Sequence, residues 1–79
     1  MTVLEEALAQ AKARRDLPVP AAARRIREAA GLTQDQIGQA VGVDGATVSR
    51  WESGERHPRG PAARLYLAVL RRVSDADNP

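Results

Sequence analysis

Residues 26–54 read IREAAGLTQDQIGQAVGVDGATVSRWESG. Thr33 and Asp44 are residue types typical of helix N-caps, because their side-chain oxygens can accept a free backbone N–H. Gly42 and Gly54 are typical of helix ends, where the chain often turns through positive φ. This order of caps and glycines predicts two short helices joined by a tight turn.

The apolar residues of this segment recur at helical spacing, which predicts that the two helices bury their inner sides together. The residues expected in that contact are Ile37, Val41, Val48 and Trp51, and Ala40 is expected on the same apolar face of the first helix. Gly38 offers a surface without a side chain where the helices come closest, and Val43 is expected to fill the turn from the core side. Two short helices with such a turn are predicted to cross steeply.

Three further helices are predicted around this pair. Thr2 opens a capping-box pattern for a helix over about residues 3–15, and Pro20 and Pro61 are suited to the first turns of two others. The last of these is predicted to run to about Val73. β-branched residues never form an alternating run, so no strand is predicted. The expected fold is all-α, a compact bundle of about five short helices.

Composition narrows the function classes. Eleven of the twelve basic residues are arginine. The arginine side chain is well suited to binding phosphate and guanine. A GC-rich genome also explains such a composition. There is no cysteine, and the single histidine, His57, has no second metal-ligand donor nearby. No phosphate-cradling glycine loop or enclosed carboxylate pair is present. We therefore expect no catalytic residue, no metal site and no cofactor, and hence no enzyme.

The segment 26–54 closely resembles the helix-turn-helix of the lambda-repressor-like family, of Cro and repressor type. The resemblance rests on the Leu-Thr-Gln opening at 32–34, on Gly42, and on the ending Val-Ser-Arg-Trp-Glu-Ser-Gly at 48–54. It implies a lambda-repressor-like helix-turn-helix that binds the major groove of double-stranded DNA through its second helix, the recognition helix. Gly38 departs from the pattern, because the family more often has alanine there.

The resemblance also implies which residues read the bases: Gly45, Ala46, Ser49 and Arg50. Arg50 is the strongest candidate, since its guanidinium can donate two hydrogen bonds to guanine O6 and N7. Gly45 and Ala46 carry no side-chain hydrogen-bonding group, so DNA shape is expected to contribute to recognition. The alternative for Arg50 is a phosphate contact or an ion pair with Glu28 or Glu52.

Phosphate contacts are implied at the start of the first motif helix and around the recognition helix. Gln34 is expected to bond a backbone phosphate, and Asp44 and Thr47 lie nearer the sugar-phosphate edge than the base-facing positions. Arg56 and Arg59, in the loop after the recognition helix, are further candidates. Their alternative is solvated loop charge.

The predicted final helix is apolar all round, so it must bury two sides. The side expected against the motif carries Ala62, Leu65, Tyr66, Val69 and Val73. The other side, with Ala63, Leu67 and Leu70, is expected to meet the apolar stripe of the N-terminal helix, in the same chain or in a second copy. This predicts a homodimer through Val3, Leu4, Leu8, Leu67 and Leu70.

Pro18 and Pro20 mark the one plausible linker, because prolines favour extended backbone. We expect residues 1–17 to form a packing or dimerisation helix, 18–74 the DNA-binding domain and 75–79 a flexible tail. The longest apolar run, 65–70, is too short to cross a bilayer, so we expect no membrane partner and a cytoplasmic location, with association with the nucleoid when bound to DNA.

The leading hypothesis is a phage or bacterial repressor, Cro-like, that binds an operator as a dimer. The alternative is an antitoxin whose main task is binding a protein partner, with DNA binding for autoregulation. A neighbouring toxin-like reading frame would favour the alternative.

Overall fold

The computed structural model describes residues 2–77. Its elements are α1 (Val3–Asp16), α2 (Pro20–Ala29), α3 (Gln34–Val41), α4 (Gly45–Ser53) and α5 (Pro61–Asp77). These five helices, with no strand among residues 2–77, confirm the predicted all-α bundle. None of them is long and apolar enough to cross a membrane, within that same part of the chain.

The end of α5 differs from the prediction. The helix continues beyond Val73 to Asp77, so residues 75–77 are helical where a flexible tail was expected. The rest of that predicted tail, residues 78 and 79, lies outside the described residues. Gly and Pro, the strongest signals of a helix end, are absent between Val73 and Asp77.

The predicted caps are present and set where the central helices begin and end. Thr33 Oγ1 accepts the backbone N–H of Gln36 at 3.0 Å, and the Gln36 side chain accepts the N–H of Thr33 at 2.8 Å. Gly42 closes α3 at φ 94°, a conformation that residues with a Cβ rarely adopt. These local contacts explain why helix boundaries could be predicted from short patterns.

The main core lies between α2, α3, α4 and α5. It consists of Ala23, Ile37, Val41, Val48, Trp51, Tyr66 and Leu70. The rings of Trp51 and Tyr66 are 4.7 Å apart, and burial raises the pKa of Tyr66 to about 12. The predicted burial of Ile37, Val41, Val48 and Trp51 is confirmed.

Ala40 was predicted on the apolar face of α3, and it proves not to be part of the buried contact. It is exposed, because the neighbouring helices cover only the strip of α3 that carries Ile37, Gly38 and Val41. An eight-residue helix presents a narrow apolar face, and Ala40 lies at the edge of it.

α1 packs against α5 through a second, small cluster of Ala13, Ala63 and Leu67. Two ion pairs flank it: Arg64 contacts Glu6 at 2.7 Å, and Arg71 contacts Asp16 at 3.7 Å. The predicted contact between the first and last helices therefore forms within one chain.

Three details of that prediction are wrong. Leu67 and Leu70 are 7% and 2% exposed, so they are buried inside the chain and cannot form a dimer surface. Leu70 packs in the main core rather than against α1. Leu65, expected against the motif, is 48% exposed, because the covered arc of α5 runs through Tyr66 and Leu70 instead.

The turn between α3 and α4 depends on Gly38. Its carbonyl accepts the N–H groups of both Gly42 and Val43, at 2.7 and 2.8 Å. A Cβ at position 38 would lie 2.5 Å from the Val43 carbonyl oxygen and 3.1 Å from the Asp44 carbonyl carbon. Both are backbone atoms of the turn, so a side chain would push α4 away from α3.

Gly38→Ala is expected to destabilise the protein by about 1 to 3 kcal/mol, the usual range for overpacking. Alanine favours helix by about 1 kcal/mol over glycine, but the clash with the turn outweighs that gain. Urea denaturation followed by circular dichroism measures the difference. A more stable variant would show that the turn has room for the methyl group.

Candidate nucleic-acid interface

The outer face of α4 is formed by small or hydrogen-bonding side chains and one long cation. Ala46, Ser49 and Arg50 are exposed, as their predicted role in base reading requires. Gly45 is different: it is buried, and a Cβ there would collide with the side chain of Asp35 on α3. Gly45 therefore lies in the contact between the two helices, outside the exposed face.

The loop after α4 folds back towards that face. The N–H of Arg56 donates to the carbonyl of Arg50 at 3.2 Å, and Gly54 ends the helix at φ 80°. Pro58 is buried, which holds the middle of the loop against the protein. The loop is thereby fixed beside α4 instead of extending into solvent.

This fold-back gathers cationic side chains around one groove. The groove lies between α4, the loop and the start of α5, and it is lined by Thr47, Arg50, Trp51, Glu55, Arg56, His57, Arg59 and Ala62. Three arginines from two segments share it, with one carboxylate among them. The structure thus brings Arg50, a predicted base reader, together with Arg56 and Arg59, both predicted phosphate contacts.

Arg50 is available for a ligand. Its alternative partners are engaged elsewhere: Glu28 pairs with Arg24 at 3.4 Å, and Glu52 pairs with Arg27 at 2.7 Å. Among the side chains of residues 2–76, Arg50 forms no ion pair of its own. An exposed guanidinium without a protein partner is suited to phosphate or guanine.

Asp44 and Thr47 are tied to each other. The Asp44 carboxylate caps α4 by accepting the Thr47 N–H at 2.8 Å and the Thr47 hydroxyl at 2.6 Å. These bonds hold the pKa of Asp44 below its ordinary value. While these two hydrogen bonds are formed, Thr47 has neither its N–H nor its hydroxyl proton free to donate to a phosphate. The negative charge of Asp44 also repels a phosphate. The structure gives both predicted phosphate contacts a role in starting the helix.

The whole arrangement of α3, turn, α4 and loop lies within a segment that a family model matches. The model of the helix-turn-helix family matches residues 24–77, more than half of the chain. The chain belongs to this family. The match supports the lambda repressor and Cro type that the sequence resembles, and with it a DNA-binding regulator. Comparison with curated proteins and with solved structures gave no match.

In this helix-turn-helix protein the two motif helices are joined to α2 by a buried carboxylate. Glu52 is 8% exposed and accepts Arg27 Nε at 2.7 Å and a second Arg27 N–H at 2.9 Å. Gln34 Nε2 donates to the same carboxylate at 3.1 Å. Arg27 also donates to the carbonyl of Leu32 at 2.9 Å. One side chain of α4 thus holds both α2, the helix before the motif, and the start of α3.

This network bears on the predicted phosphate contact of Gln34. One N–H of its amide points to Glu52, while an amide nitrogen carries two donors. The second donor remains for a phosphate, and the bond to Glu52 restricts the side chain. A phosphate contact by Gln34 stays a prediction, and the bond to Glu52 orients the side chain from inside the fold.

Analysis of the sequence missed the role of Arg27 and Glu52. Arg27 was given no role, and Glu52 was considered only as a partner of Arg50. The two residues are 25 positions apart, and no short-range pattern links them. One signal was available in the sequence. Glu52 lies one helical turn after the buried Val48, so a charged residue was to be expected at the buried edge of α4.

Glu52→Gln is expected to cost about 3 kcal/mol of stability, because it leaves the Arg27 charge inside the protein without a counter-charge. Glu28→Gln is the matched control: it breaks an exposed pair on one helix, worth less than about 0.5 kcal/mol. Chemical denaturation of both variants tests the comparison. Equal losses would contradict a special role for the buried pair.

Acid is expected to weaken the fold through the same carboxylate. Burial by itself raises the pKa of Glu52, but hydrogen bonds from Arg27 and Gln34 outweigh it and hold the pKa below its ordinary value of 4.5. A group with a lowered folded pKa stabilises above its unfolded pKa, and that contribution disappears as pH falls through the folded value. Denaturation between about pH 6 and pH 3 should show a shallower loss for Glu52→Gln than for the natural protein.

Proposed function

We propose that this protein is a sequence-specific transcriptional repressor, Cro-like and of phage or bacterial origin, that inserts α4 into the major groove of an operator. The observation that supports this most is the groove beside α4, where Arg50, Arg56 and Arg59 converge and where Glu55 is the one acidic residue among the described lining residues. It acts in the cytoplasm, associated with the nucleoid when bound to DNA.

Base reading falls on a few side chains. Arg50 donates hydrogen bonds to guanine, and the Ala46 methyl group contacts a thymine methyl group. The Ser49 hydroxyl donates a hydrogen bond to, or accepts one from, either base of a pair. The small size of Ala46 and Ser49 lets the helix backbone lie close to the base edges. With so few donors, sequence-dependent DNA shape supplies part of the preference.

Phosphate contacts fall on both sides of that face. Gln34 and the free N–H groups at the start of α3 hold one phosphate, while Arg56 and Arg59 hold the backbone beyond the end of α4. Because the loop is bonded to Arg50 through the backbone, these contacts set the depth and angle at which Arg50 meets the bases.

An antitoxin is the second candidate. The observation that favours it is the apolar surface of α1, where Val3 is 89% exposed, Leu4 68% and Leu8 59%. Such a surface can bind another protein. In that case DNA binding serves autoregulation, and a toxin gene beside this one is expected.

Selection from a randomised duplex pool at about 150 mM salt tests the proposal, because non-specific phosphate attraction is weak there. An enriched motif is expected for the natural protein. Arg50→Ala should lose about 1 to 3 kcal/mol of discrimination at one base pair of that motif.

Two matched variants complete the test. Gln34→Ala should weaken all duplexes alike, because a phosphate contact carries no sequence information. Arg72→Ala removes an exposed arginine of α5 that does not line the groove, and should leave both affinity and motif unchanged. A uniform loss for Arg50→Ala would assign Arg50 to phosphate, and an unenriched pool would contradict sequence-specific binding.

A further inference from the structure

A cavity lies between the linker that joins α1 to α2, the main core and the loop after α4. Its volume is about 410 Å³, within the roughly 300–1,000 Å³ typical of small-molecule sites. The linker contributes Leu17, Pro18 and Pro20 to the lining, and the loop contributes His57 and Pro58. Most of the lining residues do not line the groove beside α4, so the cavity is a separate feature of the surface.

The walls of this cavity are mostly apolar and are partly built from the core. Ala23, Trp51 and Tyr66 line it and are 2%, 6% and 3% exposed. The rings of Trp51 and Tyr66 are packed together, and the proline rings have a fixed backbone angle. Close-packed walls of this kind cannot easily move inward to fill the space. The cavity therefore offers a firm apolar surface to the ring of a small molecule.

The polar side-chain groups around the cavity are hydrogen-bond donors, and no carboxylate is among the described lining residues. Arg14 carries a permanent positive charge and forms no ion pair among the side chains of residues 2–76. The imidazole of His57 and the indole of Trp51 can each donate an N–H. These groups favour a molecule that brings acceptor atoms.

Tyr66 supplies a further, independent sign of a missing partner. Its hydroxyl is buried and has no hydrogen-bond partner among the described residues. Burial raises the pKa of Tyr66 to about 12, so the hydroxyl keeps its proton at neutral pH and can donate it. A buried donor without a partner is unfavourable, and an acceptor atom brought by a bound molecule would remove that cost.

We propose that this cavity binds a small carboxylate that carries an apolar ring. The ring lies against Trp51 and the linker prolines, while the carboxylate lies at the mouth, where the side chains of Arg14 and His57 are exposed. The charge of Arg14, with no acidic residue beside it in the described lining, selects an anion over a neutral or cationic molecule of the same shape.

The site goes beyond the proposed DNA contacts. Arg14 and the linker residues precede the segment 24–77 matched by the family model. Trp51 and His57 line both the cavity and the groove, so a bound molecule contacts the loop that carries Arg56 and Arg59. Binding in the cavity does not require DNA. It can be tested on the protein alone, and its failure would leave the proposed function standing.

Phenylacetate is the probe, and phenylacetamide, which has nearly the same shape without the charge, is its control. Trp51 is the single tryptophan of the chain, so its indole N–H gives one NMR resonance that reports directly on the cavity. Phenylacetate is expected to shift this resonance with a dissociation constant on the order of 1 mM, a reasonable affinity for so small a ligand. Phenylacetamide should bind several-fold more weakly.

Two arginine variants test the assignment of the charge. Arg14→Gln should raise the dissociation constant of phenylacetate about fivefold and leave that of phenylacetamide unchanged, because only the carboxylate uses the charge. Arg15→Gln is the matched control, since Arg15 is an exposed neighbour on α1 that does not line the cavity, and it should change neither constant. An unshifted Trp51 resonance up to about 10 mM phenylacetate would overturn the proposal. Equal affinity for the two probes, or equal losses for the two variants, would overturn it as well.

Discussion

The Glu52 carboxylate, buried at the inner edge of α4, receives hydrogen bonds from two other helices. Arg27 reaches it from α2 and Gln34 from the start of α3, and Arg27 continues to the carbonyl of Leu32. A charge out of water is costly unless it is paired and fully hydrogen-bonded, so these groups have one favourable arrangement. The apolar core supplies most of the attraction between the helices, while this network fixes the position of α4 relative to the segments before it.

The proposed function depends on that position because the outer face of α4 is narrow. It has one long side chain, Arg50, and otherwise small residues, so its reach into a groove is set by where the backbone of α4 lies. Gly38 and Gly45 let the two motif helices approach, and the fold-back bond from Arg56 to Arg50 fixes the following loop. The same set of contacts gathers the arginines of the groove on one side of the molecule.

α1 stands apart from this organisation. It rests on α5 through the cluster of Ala13, Ala63 and Leu67 and through two surface ion pairs, and it leaves its most apolar face to solvent. The division is physically reasonable: α2 to α5 close the core around Trp51 and Tyr66, and α1 adds a surface. The helix-turn-helix unit thus carries a separate apolar surface on α1.

The sequence by itself determined the helices, their caps and the family. Thr33, Gly42, Asp44 and Gly54 act through neighbours a few residues away, and the apolar spacing of Ile37, Val41, Val48 and Trp51 reflects the geometry of a single helix. The exposed positions of Ala46, Ser49 and Arg50 could be predicted for the same reason. The tertiary structure alone decided what depends on contacts between distant segments. It assigned Arg27 to Glu52, buried Gly45 against Asp35, and turned Leu70 into the core while leaving Leu65 outside. Side chains of one type, such as the arginines or leucines of this chain, share the same local propensities, and only the packing of separate helices distinguishes their roles.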